Sequence, residues 1–422
     1  MRFLIDLDHW QEIKATLLRN RLRTLLTAFG VFWGIFLLMV MLGSGSGLRN
    51  GVMQGFAGSA TNSFFVWTQR TQKPYAGLPA GRRLQMTNGD VVAIREKVAE
   101  AELVVPRNQL GGFGGGNNVS RGRRSGAFSV MGDHPEIQRI QSLRVDSGRF
   151  LNPLDVDDSR KVAVIGTRVR DVLFARGEKV VGEQVVIGGV YFEVVGVFKS
   201  IQSGDDGERD ASTLFVPFST FQRAFNFGDR VGWLAVISRP HVKASVAEEN
   251  VLALLRSRHK VAPDDLRAFG HFTLEEEFGK VQGLFSGIRI LVWLVGIGTL
   301  AAGVIGVSNI MLIIVKERTK EIGIRRAVGA QPSAVVGQIV SESVILTAVA
   351  GYLGLVAGIG VIVLVGRLLP AGDGATMFLN PDVGVGEALK ALAILVAAGV
   401  AAGLAPAQRA LAVSPTIALR SE

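Results

Sequence analysis

The 422-residue sequence joins two kinds of composition, because 48% of its residues are hydrophobic while 19% are charged, with a formal net charge of +10. Such a mixture is typical of a chain that is part membrane protein and part water-exposed domain. The sequence contains no cysteine, which excludes disulfides, thiolate metal sites and cysteine nucleophiles. The basic balance does not by itself indicate nucleic acid, since many basic residues flank apolar runs, where membrane orientation explains them.

The first 23 residues combine basic side chains with apolar positions at helical spacing. This pattern predicts a cytoplasmic amphipathic helix over 1–23 that lies on the membrane surface. A first membrane span follows over 24–43, long enough to cross about 30 Å of hydrocarbon. A cleaved signal peptide is the competing interpretation, but the basic section and the apolar run are both too long for one. The glycine–serine run 43–47 lacks the Lys-Ser/Thr pair of a nucleotide-binding loop and is predicted to mark the exit from the membrane.

Residues 44–285 have the composition of a water-exposed domain, and no run within them could span a bilayer. One preceding span places this domain on the extracytoplasmic side. Strand-like segments alternate with short helices, which predicts an α/β fold. Residues from about 117 to 230 are predicted to form a subdomain inserted into a unit made from the flanking segments.

Three further apolar runs are long enough to be membrane spans, and they cover 286–315, 335–369 and 387–408. The segment 316–334 is rich in Lys and Arg, so the positive-inside rule places it in the cytoplasm. The loop 370–386 lacks Lys and Arg and is predicted to lie outside, while 409–422 form a cytoplasmic tail. The sequence therefore predicts a multi-pass inner-membrane protein with both termini in the cytoplasm.

Two features of the third span predict packing against protein. Glu342 would be costly in lipid, so it should face protein or the cytoplasmic interface. Four glycines predict close helix packing, with another subunit as one candidate, and they are Gly351, Gly354, Gly358 and Gly360.

The charged segment between the second and third spans is the most distinctive stretch of the chain. Its composition predicts a helix, since Glu, Lys and Arg are good helix formers and Glu321 precedes Arg325 by four residues. At helical spacing, the face predicted to point into the cytoplasm carries Arg318, Ile322, Arg325 and Arg326. The face predicted to rest on the spans carries Ile324, Ala327 and Val328. The residues alone leave two interpretations open, a basic anchor for lipid headgroups and a docking surface for a partner.

No catalytic or metal-binding constellation is apparent in the sequence. The five histidines lack metal-ligand spacing, and no Gly-x-Ser-x-Gly element precedes a plausible triad. The acidic clusters 275–277 and 205–206 are more typical of solvated surface than of an acid/base pair. There is no Walker A motif either. The sequence therefore predicts no catalytic residue, no metal site and no cofactor in this chain.

Residues 306–312, running into 317–330, closely resemble ABC transporter permeases of the MacB/FtsX superfamily. Residues 20–27 resemble the start of that family's first span, and 414–420 resemble its usual C-terminal ending. Shorter pieces of the outer domain are also similar, and they are 147–150, 162–166 and 192–197. The order of one span, a large outer domain and three further spans matches the family as well.

This resemblance implies a fold and a set of partners. The fold would be four transmembrane helices with a large extracytoplasmic α/β domain made of porter-like and sabre-like subdomains. The segment around 317–329 would be a helix that couples to an ABC ATPase, through Glu317, Arg318, Thr319, Glu321, Ile322, Gly323, Arg325, Arg326 and Gly329. ATP and Mg would be bound by two copies of a separate ATPase subunit, because the sequence lacks the N-terminal ATPase of full-length MacB proteins.

Further implied partners are a second permease copy or a paralogue, membrane lipid, and candidate periplasmic adaptor and outer-membrane channel proteins, without nucleic acid. The leading hypothesis is a permease that couples ATP hydrolysis to extracytoplasmic conformational change, or mechanotransmission, for efflux or export. The alternative is a membrane-anchored sensor, receptor or cell-envelope regulator without transport, which leaves three of the four spans unexplained. Drug or peptide efflux, lipoprotein extraction and control of a cell-wall hydrolase all stay open as the work done outside.

Overall fold

A computed structural model of the chain describes residues 21–54, 56, 59–112, 116–141, 143–202, 204–368 and 378–412. The amphipathic helix predicted for 1–23 and the tail predicted for 409–422 therefore lie largely outside the described residues, as does much of the loop 370–386. The described chain divides into two compact units. The first, which we call the helical unit, contains the long apolar helices, and the second unit is built from 52–283.

The helices, numbered in chain order, are α1 (Arg21–Gln54), α2 (Asn88–Lys97), α3 (Pro153–Asp157), α4 (Thr167–Leu173), α5 (Gly204–Ala211), α6 (Phe218–Ala224), α7 (Ala244–Arg258), α8 (Leu274–Glu317), α9 (Thr319–Ala327), α10 (Pro332–Leu368) and α11 (Val385–Leu411). The strands are β1 (Ser63–Thr68), β2 (Met86–Thr87), β3 (Ala101–Gln109), β4 (Asn117–Arg121), β5 (Arg124–Asp133), β6 (Leu143–Gly148), β7 (Val162–Gly166), β8 (Gln184–Ile187), β9 (Val190–Ser200), β10 (Thr213–Pro217), β11 (Arg230–Val231), β12 (Trp233–Ser238) and β13 (Phe269–Thr273). The short β2 and β11 pair with each other in a separate two-stranded sheet.

Within the described part of the chain, four helices are long and apolar enough to cross a membrane, namely α1, α8, α10 and α11. Each coincides with one of the apolar runs seen in the sequence, and α1, α8 and α11 extend beyond their runs at both ends. The longest is α8, which has 44 residues and at 1.5 Å per residue is about 66 Å long. It is one unbroken helix from the end of β13 to the charged segment.

Glycines let these helices approach each other closely. A Cβ atom at Gly354 of α10 would collide with the carbonyl oxygen of Phe32 in α1, and one at Gly358 would lie 2.6 Å from the Cβ of Met39. A Cβ at Gly351 would instead meet Leu395 of α11. These three glycines therefore allow close contacts of α10 with α1 and α11 of the same chain. An added Cβ at Gly360, in contrast, would meet nothing within 4 Å.

The glycine–serine run 43–47 is part of the helix α1 and contacts the segment that precedes α11. The Ser46 hydroxyl donates to the carbonyl oxygen of Asp382 at 2.5 Å and accepts from the Asp382 N–H at 3.0 Å. The Leu379 N–H donates to the carbonyl oxygen of Gly47 at 3.0 Å. The small residues at these positions of α1 thus leave room for the main chain of residues 378–382 to pack against it.

The second unit contains a closed barrel of six strands. Its strands follow the order β5, β10, β7, β9, β8 and β4, and β4 pairs again with β5. All six contribute buried apolar side chains to one cluster, among them Phe128, Ile165, Phe192 and Leu214. Alternate residues of each strand therefore fill the barrel interior, as expected for a barrel of this size.

A four-stranded antiparallel sheet continues from the barrel in the order β3, β12, β1 and β13. It joins the barrel through two residue pairs between β3 and β5, Asn108 with Gly132 and Gln109 with Met131. Helices α2 and α7 cover one of its faces with a buried apolar cluster. Strands β3 and β12 are neighbours in this sheet, and the six barrel strands all lie between them in the sequence. The α/β architecture predicted for this part of the sequence is confirmed.

Candidate functional site

The charged segment between α8 and α10 forms the short helix α9. Its start is set at Arg318, where φ of −95° and ψ of 13° interrupt the long helix. The hydroxyl of Thr319 donates to the carbonyl oxygens of Lys316 at 2.8 Å and Val315 at 3.1 Å, which satisfies groups freed at the end of α8. A single residue thus separates α8 from α9, without a loop.

The end of α9 is set by Gly329, whose φ of +101° lies in the left-handed region. The Gly329 N–H donates to the carbonyl oxygen of Arg326 at 3.1 Å, and the Ala330 N–H donates to that of Arg325 at 3.0 Å. These two bonds are those of the Schellman motif, in which glycine is favoured at the residue after the helix cap. Gly329 therefore ends α9 and directs the chain into α10.

The side chain of Arg318 lies on the side of this segment that faces α10. Its Nη1 donates to Oε1 of Glu342 in α10 at 3.1 Å, and its Nε donates to Oε2 of Glu321 at 3.1 Å. Burial acts to lower the pKa of Arg318, but the hydrogen bond to Glu321 and the charge of Glu342 outweigh it and raise that pKa above its usual range. The side chain of Glu342 is only 4% exposed, so the prediction that this acid faces protein is confirmed.

Five polar side chains close a ring between α9 and the first turns of α10. Besides the contacts of Arg318, the Nη2 of Arg325 donates to Glu321 at 3.0 Å and its Nη1 donates to Gln338 at 3.2 Å. The ring closes where Gln338 Nε2 lies 3.5 Å from Glu342 Oε1. We call Arg318, Glu321, Arg325, Gln338 and Glu342 the polar ring. It borders a small cavity whose floor is apolar, formed by side chains of α8 and α10.

A further bond reaches α11, since Nη1 of Arg326 donates to the carbonyl oxygen of Leu411 at 2.8 Å. The short helix is therefore held by side-chain contacts to α10 and α11 and is joined to α8 through Arg318. Motion of α9 as a body would have to displace all three apolar helices or break these bonds.

The predicted orientation of the two faces of α9 is wrong. Ile322 packs against the apolar core of the helical unit, and Gly323 beside it is buried. On the other side, Ile324 is 45% exposed and Val328 is 85% exposed. Arg318 turns inward because the buried carboxylate of Glu342 lies there, whereas Arg325 binds Gln338 and keeps 43% of its side chain exposed. Helical periodicity within the segment could not reveal these partners in α10.

The other predicted site residues lie at the ends of α8 and α9 or in the polar ring. Glu317 is the exposed last residue of α8, Thr319 is the first residue of α9, Gly329 follows the cap at its end, and Glu321 belongs to the polar ring. Gln338 was not among the predicted site residues, and neither was Glu342. An acid close to the start of an apolar span requires a cationic partner, and that signal could have led from Glu342 to Arg318.

Charged groups buried in the second unit serve its fold. Arg107 and Asp133 pair at 2.8 Å between β3 and β5, and burial raises the pKa of Asp133 to about 6 although Arg107 acts to lower it. Asp90 binds Arg258 at 2.7 Å and His259 at 3.0 Å. Among the residues that the structure describes, no three His, Asp or Glu side chains are arranged so that they could hold a metal ion.

Two family models match the sequence. The MacB-like periplasmic core domain matches residues 24–254, and the FtsX-like permease C-terminal domain matches 293–415. The first match alone covers more than half of the chain. The chain therefore belongs to the MacB/FtsX family of ABC transporter permeases, which confirms the predicted resemblance. It is a membrane protein with an extracytoplasmic α/β domain, and the residues that the structure describes include four long apolar helices.

Similar proteins are longer than this chain. It is 32% identical over 405 residues to the pyoverdine export ATP-binding/permease protein PvdT of Pseudomonas putida, covering 96% of this chain and 58% of that protein. It is 26% identical over 420 residues to the macrolide export ATP-binding/permease protein MacB of Bdellovibrio bacteriovorus, covering 99% and 62%. The chain thus spans about three-fifths of their length. The crystal structure of the periplasmic region of MacB from Actinobacillus actinomycetemcomitans aligns with 55% of this chain and 97% of that one, at 20% identity and a TM-score of 0.43.

Proposed function

We propose that this chain couples ATP hydrolysis by an ABC ATPase in the cytoplasm to conformational change of its extracytoplasmic domain, for export. The observation that carries the proposal is α9, a short helix fixed to three apolar helices with an apolar side left exposed. Two ATPase copies would bind MgATP and dock on α9, and a second permease copy or paralogue would complete the complex. The membrane orientation is the one expected from charge, with 316–334 and both termini in the cytoplasm.

Docking explains α9 better than lipid anchoring does. A headgroup anchor should present its arginines to the membrane surface, but Arg318 and Arg325 bind partners of the polar ring. The exposed side instead carries Ile324, Ala327 and Val328 beside Lys320. Apolar side chains grouped on a charged helix are typical of a surface that another protein covers.

The mounting of α9 also suits the transfer of force. A load applied to Val328 passes to α10 through the polar ring, to α11 through Arg326 and to α8 through Arg318. Because α8 continues without a break to β13, its displacement can reach the extracytoplasmic domain. The names of the similar proteins, which specify export of pyoverdine and of macrolides, support export as the work done. Export across a second membrane would also require an adaptor and an outer-membrane channel.

The test begins with purification of the full chain from native membranes and identification of a co-purifying ATPase. In nanodiscs, Val328→Asp should weaken ATPase binding and the stimulation of hydrolysis at least about tenfold, as loss of a central apolar contact does. The matched control is Val246→Asp, at an exposed valine of α7, which should change neither. Equal ATPase binding by both variants would contradict the docking role.

The same purification separates this function from that of a membrane-anchored sensor or regulator. A sensor without transport needs no ATPase, so none would co-purify and MgATP would leave the extracytoplasmic domain unchanged. We expect instead that Ile324→Asp reproduces the defect of Val328→Asp, because both residues lie on the exposed side of α9.

A further inference from the structure

The three consecutive glutamates at the start of α8 have different surroundings. Glu276 and Glu277 pair with Lys280 of the same helix, at 3.3 Å and 2.9 Å. Glu275 faces away from them, and its Oε2 accepts the main-chain N–H of Ala244, the first residue of α7, at 2.5 Å. One member of this acidic cluster therefore links two helices, while the other two are surface ion pairs.

The carboxylate of Glu275 does for α7 what a capping side chain does. The first N–H groups of a helix lack partners within it and carry its positive dipole end. The residue before α7 is Lys243, which makes no side-chain cap. Glu275 supplies both the acceptor and the negative charge from 31 residues further along the chain.

A second attachment lies one turn into α7. Glu248 is buried there, and its carboxylate accepts the hydroxyl of Thr273 and contacts Nδ1 of His271. Thr273 is the last residue of β13, directly before α8. Helix α7 is thus fastened to residues 271–275 by side chains on both partners. The same face of α7 also buries Val251 and Leu255 in the apolar cluster of the four-stranded sheet.

We propose that Glu275 is a positioning residue that makes α7 follow the movement of α8. The peptide link between β13 and α8 fixes their distance but leaves the angle between them free to change. The bond from Glu275 to Ala244 fixes that angle with respect to α7, so a displacement of α8 enters the domain through a packed helix. This inference rests on the proposed coupling function, which supplies the displacement.

The joint itself can be measured in the full chain, which contains no native cysteine. Spin labels at Val246→Cys on α7 and Gly279→Cys on α8 occupy exposed positions, and an added Cβ at Gly279 meets nothing within 4 Å. We expect a narrow distance distribution in nanodiscs, with or without MgATP. Glu275→Ala should broaden it, and the matched control Glu276→Ala should not.

Transmission is measured by hydrogen exchange of α7 in the complex with the co-purified ATPase, with and without MgATP. Glu275→Ala should reduce the nucleotide-dependent change about fivefold, the factor that loss of a helix cap typically produces, while ATPase binding stays intact. Glu275→Gln should lose less, because its amide oxygen can still accept the Ala244 N–H. Glu276→Ala should behave as the unmodified chain does.

The outcomes distinguish this inference from the proposed function. A complex that hydrolyses ATP without any exchange change in the extracytoplasmic domain would overturn both. A nucleotide-dependent change that persists undiminished in Glu275→Ala would overturn the role of Glu275 alone. Loss of the response in Glu275→Ala, with a broadened label distance and normal ATPase binding, supports it.

Discussion

Arg318 and Glu342 lie 24 residues apart in the chain, yet 3.1 Å separates Nη1 of the arginine from Oε1 of the glutamate. Their side chains are 16% and 4% exposed, so both charges are largely withdrawn from water. Each makes the other tolerable beside an apolar span. The pair fixes the start of α9 on α10.

Breaking this pair on one side should destabilise the helical unit. Arg318→Met leaves Glu342 as an uncompensated buried carboxylate, which should lower the free energy of unfolding by about 3 kcal/mol. Changing both residues to Met removes both charges and should restore most of that loss. Denaturant unfolding of the purified chain in detergent measures both values. A double variant no more stable than the single one would show that the pair is not the source of the loss.

The glycine at the end of α9 should be sensitive to substitution for a main-chain reason. Gly329→Ala places a Cβ on a residue with φ of +101°, which should cost about 1 kcal/mol although the surrounding space is open. The matched control is Gly337→Ala in α10, where an added Cβ also meets nothing within 4 Å. That change should be neutral or stabilising by up to about 1 kcal/mol. Thermal unfolding of both variants provides the comparison, and equal melting temperatures would contradict the role of Gly329.

The long apolar runs and the charged segment made the helical unit predictable from sequence. A run longer than about 18 apolar residues specifies its own structure in lipid, and the composition of α9 favours a helix wherever it lies. The faces of α9 could not be assigned in the same way. Their orientation depends on Gln338 and Glu342, which belong to another helix.

The barrel was beyond prediction for a related reason. Its closure depends on the parallel pairing of β5 with β10, in which Ser129 lies opposite Thr213. Alternating apolar residues identify each strand, but they do not specify which distant strand pairs with it. The strand-rich character of this part of the chain was therefore predictable, and the order of the strands was not.

The contact between α10 and α1 should tolerate no side chain at its closest point. Gly354→Ala would drive a Cβ into the carbonyl oxygen of Phe32 and within 3.2 Å of the Phe36 N–H. Because both are main-chain atoms, the helices must separate, which should cost about 2 kcal/mol. Gly360→Ala, on an open side of the same helix, should be neutral or stabilising by up to about 1 kcal/mol. The midpoint of thermal unfolding in detergent tests this, and a Gly354→Ala chain as stable as the Gly360→Ala chain would contradict it.

Asp90 should make the extracytoplasmic domain sensitive to acid. Its carboxylate is buried and accepts bonds from the Thr87 N–H at 2.9 Å and Arg258 Nε at 2.7 Å, with His259 Nε2 at 3.0 Å. Burial acts to raise the pKa of Asp90, but the hydrogen bonds to His259 and Arg258 outweigh it and hold that pKa well below its usual range. The native state therefore binds fewer protons here than the unfolded state does below about pH 4.

The sign of the effect follows from that difference. The contribution of Asp90 is fully present above the unfolded pKa of about 4 and is lost as the pH falls below it. Asp90→Asn should lower the free energy of unfolding at pH 7 by about 2 kcal/mol, because charge-assisted bonds are lost, and should flatten its decline below about pH 4. Urea unfolding of the full chain, followed by tryptophan fluorescence between about pH 3 and 7, measures both effects. The free energy of unfolding of Arg258→Gln should lie between those of the unmodified chain and Asp90→Asn, since Thr87 and His259 still bind the carboxylate. If the stability of Asp90→Asn falls in acid as steeply as that of the unmodified chain, the effect belongs to another group.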